Sequence, residues 1–554
     1  MLEAPTTADL VKRRHDLDAL RSGAMLLGIA LHAGVAYTTA RWLVNDSHQS
    51  ELFDIFANLV HGFRMQLFFL LSGFFTAMLY QKRGLKALVA HRFKRIFLPL
   101  VLFGAFLCPL VSWLADKSAE TEAAVPVRDY HDEAKDEWYA VLNGEVEILR
   151  SYLEQGGDVN ALHPEKSASL LSIAAMTGNT ECVDYLLGEG AKLDTLDSDG
   201  GTPLHSAALF GREDVVSLLL EAGADPKAQN KYGYTPLDSA YHPWGVVQWL
   251  AGEYRIVLDQ PSVESDRVKV RSLLEGAGAV QNIEIKEEKV TKVDEALQWL
   301  MHGPSLHHLW FLWFLCWFLG GFALVVWLLR RFGFLARTLP EWMLSFPGCY
   351  VWLVPLPLLG QYFMSRGYGF IGPDTSTGLL PMPRVLGYYA VFFAFGALLY
   401  THGGEKRLGR RWKLGLVIGL LVLAPVVLEL EFHYTGILEG LTWGRETISD
   451  ILQVLYAWVM VFACMGMFRQ LMKHESSKVR YMSDASYWLY LMHLPLSMSV
   501  QMGMRSWDAP AWLKFLIVCA VVMIVLLPVY QWVVRYGWIG ALLNGRKNPA
   551  DERC

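Results

Sequence analysis

The sequence predicts an all-α protein, a polytopic bundle of about ten membrane-crossing helices interrupted by an inserted α-solenoid. Three observations predict it. Apolar residues fill 53% of 554 positions and aromatic residues 13%, well above an average soluble domain. Apolar runs long enough for a bilayer core, about 20 residues each, recur along most of the chain. One long stretch, 117–300, lacks any such run and instead holds a repeat of about 33 residues. The net charge of −5 hides a division: 117–300 carries 16 basic and 33 acidic groups, the remainder 33 and 21.

The predicted spans lie near 22–40, 55–80, 96–114, 305–329, 341–360, 385–401, 413–430, 448–468, 483–503 and 511–534. The fifth is weakest, because Pro347, Pro355 and Pro357 interrupt it. Basic clusters orient the set, since cytoplasmic loops collect Lys and Arg. With ten spans, Lys12–Arg21, Lys82–Arg95, Arg330–Arg337, Lys406–Lys413, Arg469–Arg480 and Arg535–Lys547 all fall on one side. The loops with Asp46–Glu51, the acidic block, Glu429–Asp450 and Asp508 fall on the other. Both termini are therefore expected in the cytoplasm of a cell bounded by this inner (plasma) membrane, with the acidic block outside. Lys12, Arg13 and Arg14 precede a full-length first span without a cleavage site, so that span is expected to remain. The seven cysteines are scattered, with no CxxC, and read as structural. The expected domains are 1–115 (first three spans), 116–300 (insert), 301–545 (remaining spans) and a cytoplasmic tail, 546–554.

Within the insert, Gly201-Thr-Pro-Leu-His205-Ser-Ala-Ala leads into Val215-Val-Ser-Leu-Leu-Leu-Glu221-Ala-Gly-Ala. Copies one period away begin at Ser169-Leu-Leu-Ser-Ile-Ala-Ala175 and Tyr234-Thr-Pro-Leu, and a looser one at Trp138. This is the ankyrin signature, in about four repeats near 136–256. A degenerate half-repeat, Val268–Ala279, closes the stack, and the Lys/Glu-rich 284–295 stretch leads back to the membrane. Such a stack serves as a protein-binding surface, a rigid lid, or a glycan-binding face; its residues name no partner.

Ionisable groups inside spans are costly and therefore informative. Arg21 and His32 stand eleven residues apart, three turns plus about 20°, so both project from one face with roughly 16 Å of rise between them. Asp18 lies one turn before Arg21 and can pair with it. A buried imidazole can take a proton from a hydroxyl near neutral pH; equally, Arg21 can be a positive-inside anchor and His32 an interhelical hydrogen-bond partner. His61 and Arg64 open the second span, facing a polar cavity or snorkelling to headgroups. Ser72 and Gly73 read as close-packing residues, with no Gly-x-Ser-x-Gly elbow around them. Arg92 and Arg95, at i and i+3, can reach one anionic ligand such as the phosphates of acyl-CoA, or serve anionic-lipid attraction. His307 and His308 open the fourth span. Tyr490 and His493 share a face of the ninth, where Pro495 frees a backbone carbonyl and can open a polar pocket. Neither His pair has metal spacing, so no metal and no bound cofactor are expected, and nothing points to nucleic acid.

Residues about 14–114 and 303–540 resemble the membrane acyltransferase-3 family, within it the glucan biosynthesis branch. Leu17-Asp18-Ala-Leu-Arg21, Met25-Leu-Leu-Gly-Ile, His32, His61-Gly-Phe-Arg-Met-Gln-Leu-Phe-Phe-Leu-Leu-Ser-Gly-Phe and His308-Leu-Trp-Phe-Leu carry it. So do an Arg and a His separated by ten residues (Arg21, His32) and an Arg-x-x-Arg before the third span (Arg92, Arg95). The ankyrin block departs from that pattern. The resemblance implies transfer of an acyl group, succinyl in the glucan branch, from cytoplasmic acyl-CoA to hydroxyls of an extracytoplasmic glucan or other glycan. It further implies His32 as general base, Arg21 beside the pantetheine arm, and Arg92 and Arg95 on the CoA phosphates. Arg64 or His308 would hold the oxyanion or orient the substrates, with His61, Tyr490 and His493 in the substrate pocket. The rival readings are a transporter or flippase for an anionic glycan or lipid, and a membrane-tethered ankyrin receptor without catalysis.

Overall fold

The computed structural model describes residues 14–40, 42–123, 137–163, 167–254, 260–282, 305–332, 339–364, 370–404, 408–432, 444–472 and 474–545, with isolated positions between them. The 284–295 lead, the 546–554 tail and Lys12–Arg13 lie outside these. The chain divides into two compact units, 1–127 with 291–554, and 128–290. The third helix continues past its apolar run to Ala123, beyond the 115/116 border read from the sequence.

The first unit opens with α1 (His15–Gly34), α2 (Glu51–Arg92) and α3 (Leu98–Ala123). Gly84, at φ 75°, breaks α2 near its end, where a Cβ would strain the backbone. A π-turn at Phe93–Phe97 joins α2 to α3. Arg92 is thus the last residue of α2 and Arg95 lies within the π-turn.

The second unit stacks four helix pairs: α4 (Glu137–Asn143) and α5 (Val146–Glu154), α6 (Leu170–Thr177) and α7 (Thr180–Gly188), α8 (Pro203–Leu209) and α9 (Glu213–Glu221), α10 (Pro236–Ser239) and α11 (Trp244–Glu253). The repeat shows in its punctuation. Ser169, Thr202 and Thr235 each stand as N-cap, their side chains satisfying backbone donors of the first turn. Gly144, Gly178 and Gly211 take positive φ between paired helices. The expected half-repeat at Val268–Ala279 lies mostly within a longer closing helix, α12 (Gln260–Gly276), and runs three residues past its end. Its Arg267, 1% exposed, donates to Ser239 O and His242 O and so caps the stack with a buried guanidinium.

The first unit resumes with α13 (Trp310–Arg331), α14 (Tyr350–Leu353), α15 (Pro355–Tyr362), α16 (Pro383–Thr401), α17 (Trp412–Ile418), α18 (Ala424–Phe432), α19 (Arg445–Leu471), α20 (Ser477–Met504), α21 (Ala511–Val529) and α22 (Trp538–Asn544). Among the described residues, seven helical stretches are long and apolar enough to cross a membrane. One of them, Glu51–Ser118, takes in two predicted spans. The predicted 341–360 span is not one helix: its prolines divide it into a 3₁₀ turn and the short α14 and α15. The predicted 483–503 span is the continuous α20, too polar along one side to count by hydropathy alone. The interior is aromatic. Trp458 is fully buried, stacked on Phe392 at 4.0 Å and edge-on to Phe395. Helices α2 and α16 touch backbone to backbone: a Cβ on Gly73 would stand 1.9 Å from Phe393 O, and one on Gly396 1.9 Å from Leu70 O. Gly73 is thus a packing residue, as its sequence context indicated.

Candidate functional site

One cavity of about 810 Å³ gathers the charged and imidazole groups of the first unit. Nine of the ten residues singled out from sequence line it: Arg21, His32, His61, Arg64, Arg92, Arg95, His308, Tyr490 and His493. Asp18 does not. It sits 3.8 Å from Arg21 and accepts from Ser483 Oγ, while Arg21 Nη2 donates to Ser483 O and Oγ at 2.9 and 2.6 Å. Asp18 therefore braces Arg21 from behind the wall.

The cavity is graded along its length. At the end built from the starts of α1 and α20 and the α2–α3 junction stand Arg21, Arg92 and Arg95, with His91. Arg92 Nη2 reaches Thr76 Oγ1 at 3.4 Å, and Tyr487 Oη donates to Arg95 O at 2.9 Å. At the far end stand Trp42, Phe370, Asp374 and Glu431, the latter two the only carboxylates in the lining among the described residues. Glu431 accepts from Ser449 Oγ and Gln453 Nε2, and Asp374 lies 3.4 Å from Arg384.

Three imidazoles meet between the two ends. His32 and His493 have ring centroids 5.2 Å apart, and His493 and His308 5.4 Å apart. His493 Nδ1 lies on Leu489 O and Tyr490 O (3.1 and 2.8 Å), so that nitrogen carries the proton and Nε2, buried without a partner among the described residues, keeps its lone pair. His308 Nε2 donates to Leu491 O at 3.0 Å, leaving Nδ1 as the bare acceptor. Tyr490 Oη donates to His308 O and ties the turn ahead of α13 to α20. His61 Nδ1 is held by Ile371 O at 2.9 Å. Arg64 is 9% exposed, and among the described residues its one hydrogen bond goes to Met65 Sδ at 3.6 Å. Gly28 on α1 makes room for it: a Cβ there would stand 2.4 Å from Arg64 Nη1. Among the described residues no group of three or more His, Cys, Asp or Glu is disposed to hold a metal.

Sequence reading missed Trp42. Its indole stacks on His32 at 5.7 Å and 28°. A single Trp next to a span reads as an interfacial anchor, and only the Asn45 three residues on, which clasps Trp42 N and O, hints at a built turn.

An acyltransferase domain matches residues 14–138 and 243–531, and ankyrin repeats in three copies match 138–230. With most of its length covered by the first of these, the chain belongs to the acyltransferase-3 family. It is also similar to the glucans biosynthesis protein C of Escherichia coli (strain SMS-3-5 / SECEC), 38% identical over 90 residues. The counterpart of that name in Salmonella paratyphi B is 38% identical over 89. Each match spans 16% of this chain and 23% of the relative, so the chain covers under a quarter of the length of the curated relatives it matches.

Proposed function

We propose that the chain is a membrane O-acyltransferase that moves an acyl group from cytoplasmic acyl-CoA to a hydroxyl of an extracytoplasmic glucan or other glycan, succinyl being the group the glucan relatives suggest. The observation that carries this reading is the graded cavity, with a triple-arginine end, an imidazole centre and a carboxylate-bearing end. Arg21, Arg92 and Arg95 suit the phosphates of CoA, since guanidinium forks bind phosphate oxygens in pairs. His32 then accepts the proton of the attacking hydroxyl. Arg64, rather than His308, suits the carbonyl oxygen as it gains charge, because the His308 N–H is already spent on Leu491 O. His61, Tyr490 and His493 shape the pocket around the reacting groups. The reading carries the membrane orientation with it: arginines and both termini cytoplasmic, carboxylate end outside, ankyrin unit outside and available to a protein partner.

The test uses the purified full chain in lipid nanodiscs with acyl-CoA and a glucan oligomer, following free thiol and acylated sugar together. General-base assistance is worth about 10²–10⁴-fold, so His32→Ala should lose at least 10²-fold in turnover at unchanged yield. Near-normal transfer by that variant overturns the assignment of the base. Thiol release that never yields acylated sugar overturns the acceptor.

A further inference from the structure

In the proposed transfer His32 becomes an imidazolium, yet no carboxylate is bonded to it. Its Nδ1 is buried without a partner among the described residues. The charged and titratable groups around it are Arg64 and His61 from α2, His308 ahead of α13 and His493 from α20, with Arg21 further along α1. None of these carries a negative charge, and Arg64 opposes a second cation. Two rings flank His32 instead. Trp42 offers its face at 5.7 Å, inside the roughly 6 Å over which an indole attracts a cation. His493 stands at 5.2 Å with an unpaired Nε2 lone pair, its other nitrogen pinned to backbone.

The indole is fixed in advance. Asn45 Oδ1 accepts from Trp42 N at 2.9 Å, and Asn45 Nδ2 donates to Trp42 O at 3.1 Å. Arg505 Nε holds Asn45 O at 2.9 Å. The next residue, Asp46, pairs with Lys514 at 2.9 Å, both side chains buried, which anchors the turn to α21. So much buried polar structure on a short external turn needs a reason, and the ring it delivers lies against His32.

The geometry points to Trp42 and His493 as positioning residues that replace a carboxylate: the indole face and the His493 lone pair stabilise the His32 imidazolium. This rests on the reading of His32 as general base. In the step, the hydroxyl proton passes to His32 as the new O–C bond forms. The C–S bond then breaks, and the proton held on His32 ends on the departing CoA sulfur. A preset π-face costs no rearrangement as charge appears.

The experiment measures transfer by the full chain in nanodiscs from pH 5.5 to 9, for wild type, Trp42→Phe, Trp42→Leu and His493→Asn, with His32→Ala as control. Trp42→Leu should lower kcat roughly three- to thirtyfold, the span of a cation–π contact. Both apparent KM values should stay near wild type, and the acid limb of the rate–pH profile should move to lower pH. Trp42→Phe, a weaker π-face of similar shape, should recover part of the loss. His493→Asn keeps a donor for the backbone carbonyls but lacks Nε2, and should lose kcat with the same direction of profile shift. Equal rates for the Phe and Leu variants, or a rise in acceptor KM with an unmoved profile, overturn the proposal and leave His32 in place. A fully active His32→Ala removes the base reading itself, and this inference with it.

Discussion

A buried arginine with no carboxylate beside it is unusual at the scale of a single residue. Burying a lone charge costs several kcal/mol even after relaxation, and Arg64 is 9% exposed with a thioether as its hydrogen-bond partner among the described residues. On the proposed reading the guanidinium meets its anionic partner during turnover, as charge develops on a carbonyl oxygen. Replacing the arginine by an apolar residue of similar length should then separate stability from activity. Arg64→Met should leave the melting temperature in detergent unchanged or raised while acyl transfer falls by about 10²-fold or more. A parallel loss of both would reduce Arg64 to a structural brace. Gly28→Ala tests the same group without touching it, because the new Cβ stands 2.4 Å from Nη1 and must push the guanidinium aside. Turnover should drop with the fold intact. Arg64 was legible in the sequence because a cation next to an apolar run is conspicuous; Gly28 and Trp42 were not. What makes them matter is a neighbour 36 residues along the chain for the glycine, and a stack across a turn for the tryptophan.

Among the elements, most membrane helices were legible because an apolar run of spanning length has few other uses. The two departures have opposite causes. Prolines divided 341–360 into short helices that length alone would join, whereas α20 stays continuous although Ser483, Ser486, Tyr490 and His493 make it polar. Ser486, Tyr490 and His493 turn one side of α20 into cavity wall, while Ser483 holds Arg21 from behind it. The ankyrin helices were legible through their period, and His205 shows how one repeat locks to the next. Its Nδ1 accepts from Thr202 N at 3.1 Å and its Nε2 donates to Tyr234 O at 3.0 Å, a pattern that only the neutral ring makes. Burial holds His205 below the ordinary histidine range, against the opposing pull of Tyr234 O; His242 is lowered likewise, by burial and then Arg267. The unfolded chain therefore takes up protons near pH 6.5 that the folded unit refuses. The stabilisation should be complete above about pH 6.5 and decline as pH falls from there toward the depressed folded values. Protection factors of the 200–240 amides in the full chain, measured by hydrogen exchange and corrected for its intrinsic slowing toward acid, should fall between pH 7.5 and 5.5, and less so in His205→Gln. A flat response would mean that the ring is not held neutral.

At the scale of the whole molecule, the chemistry and the repeat stack have separate cores. Every residue lining the graded cavity belongs to 1–127 or 291–554. The repeat unit buries its own apolar set, including Leu170, Ile173, Val216 and Leu219. An insertion with its own core weighs on its host mainly through the entropy of one surface loop, which grows slowly with length. Removing 128–290 and closing the gap with a flexible linker should therefore leave the membrane unit folded. Thiol release from acyl-CoA with a short soluble acceptor should stay within about threefold of wild type, a spread smaller than one hydrogen bond to a charged group would produce. What should disappear is whatever the stack recruits, visible as proteins co-isolated by the full chain and not by the shortened one. Loss of transfer to the short acceptor by a shortened chain that still elutes as a single species would show the opposite: that the repeats complete the active site, and that an ankyrin stack has been drawn into acyl transfer itself.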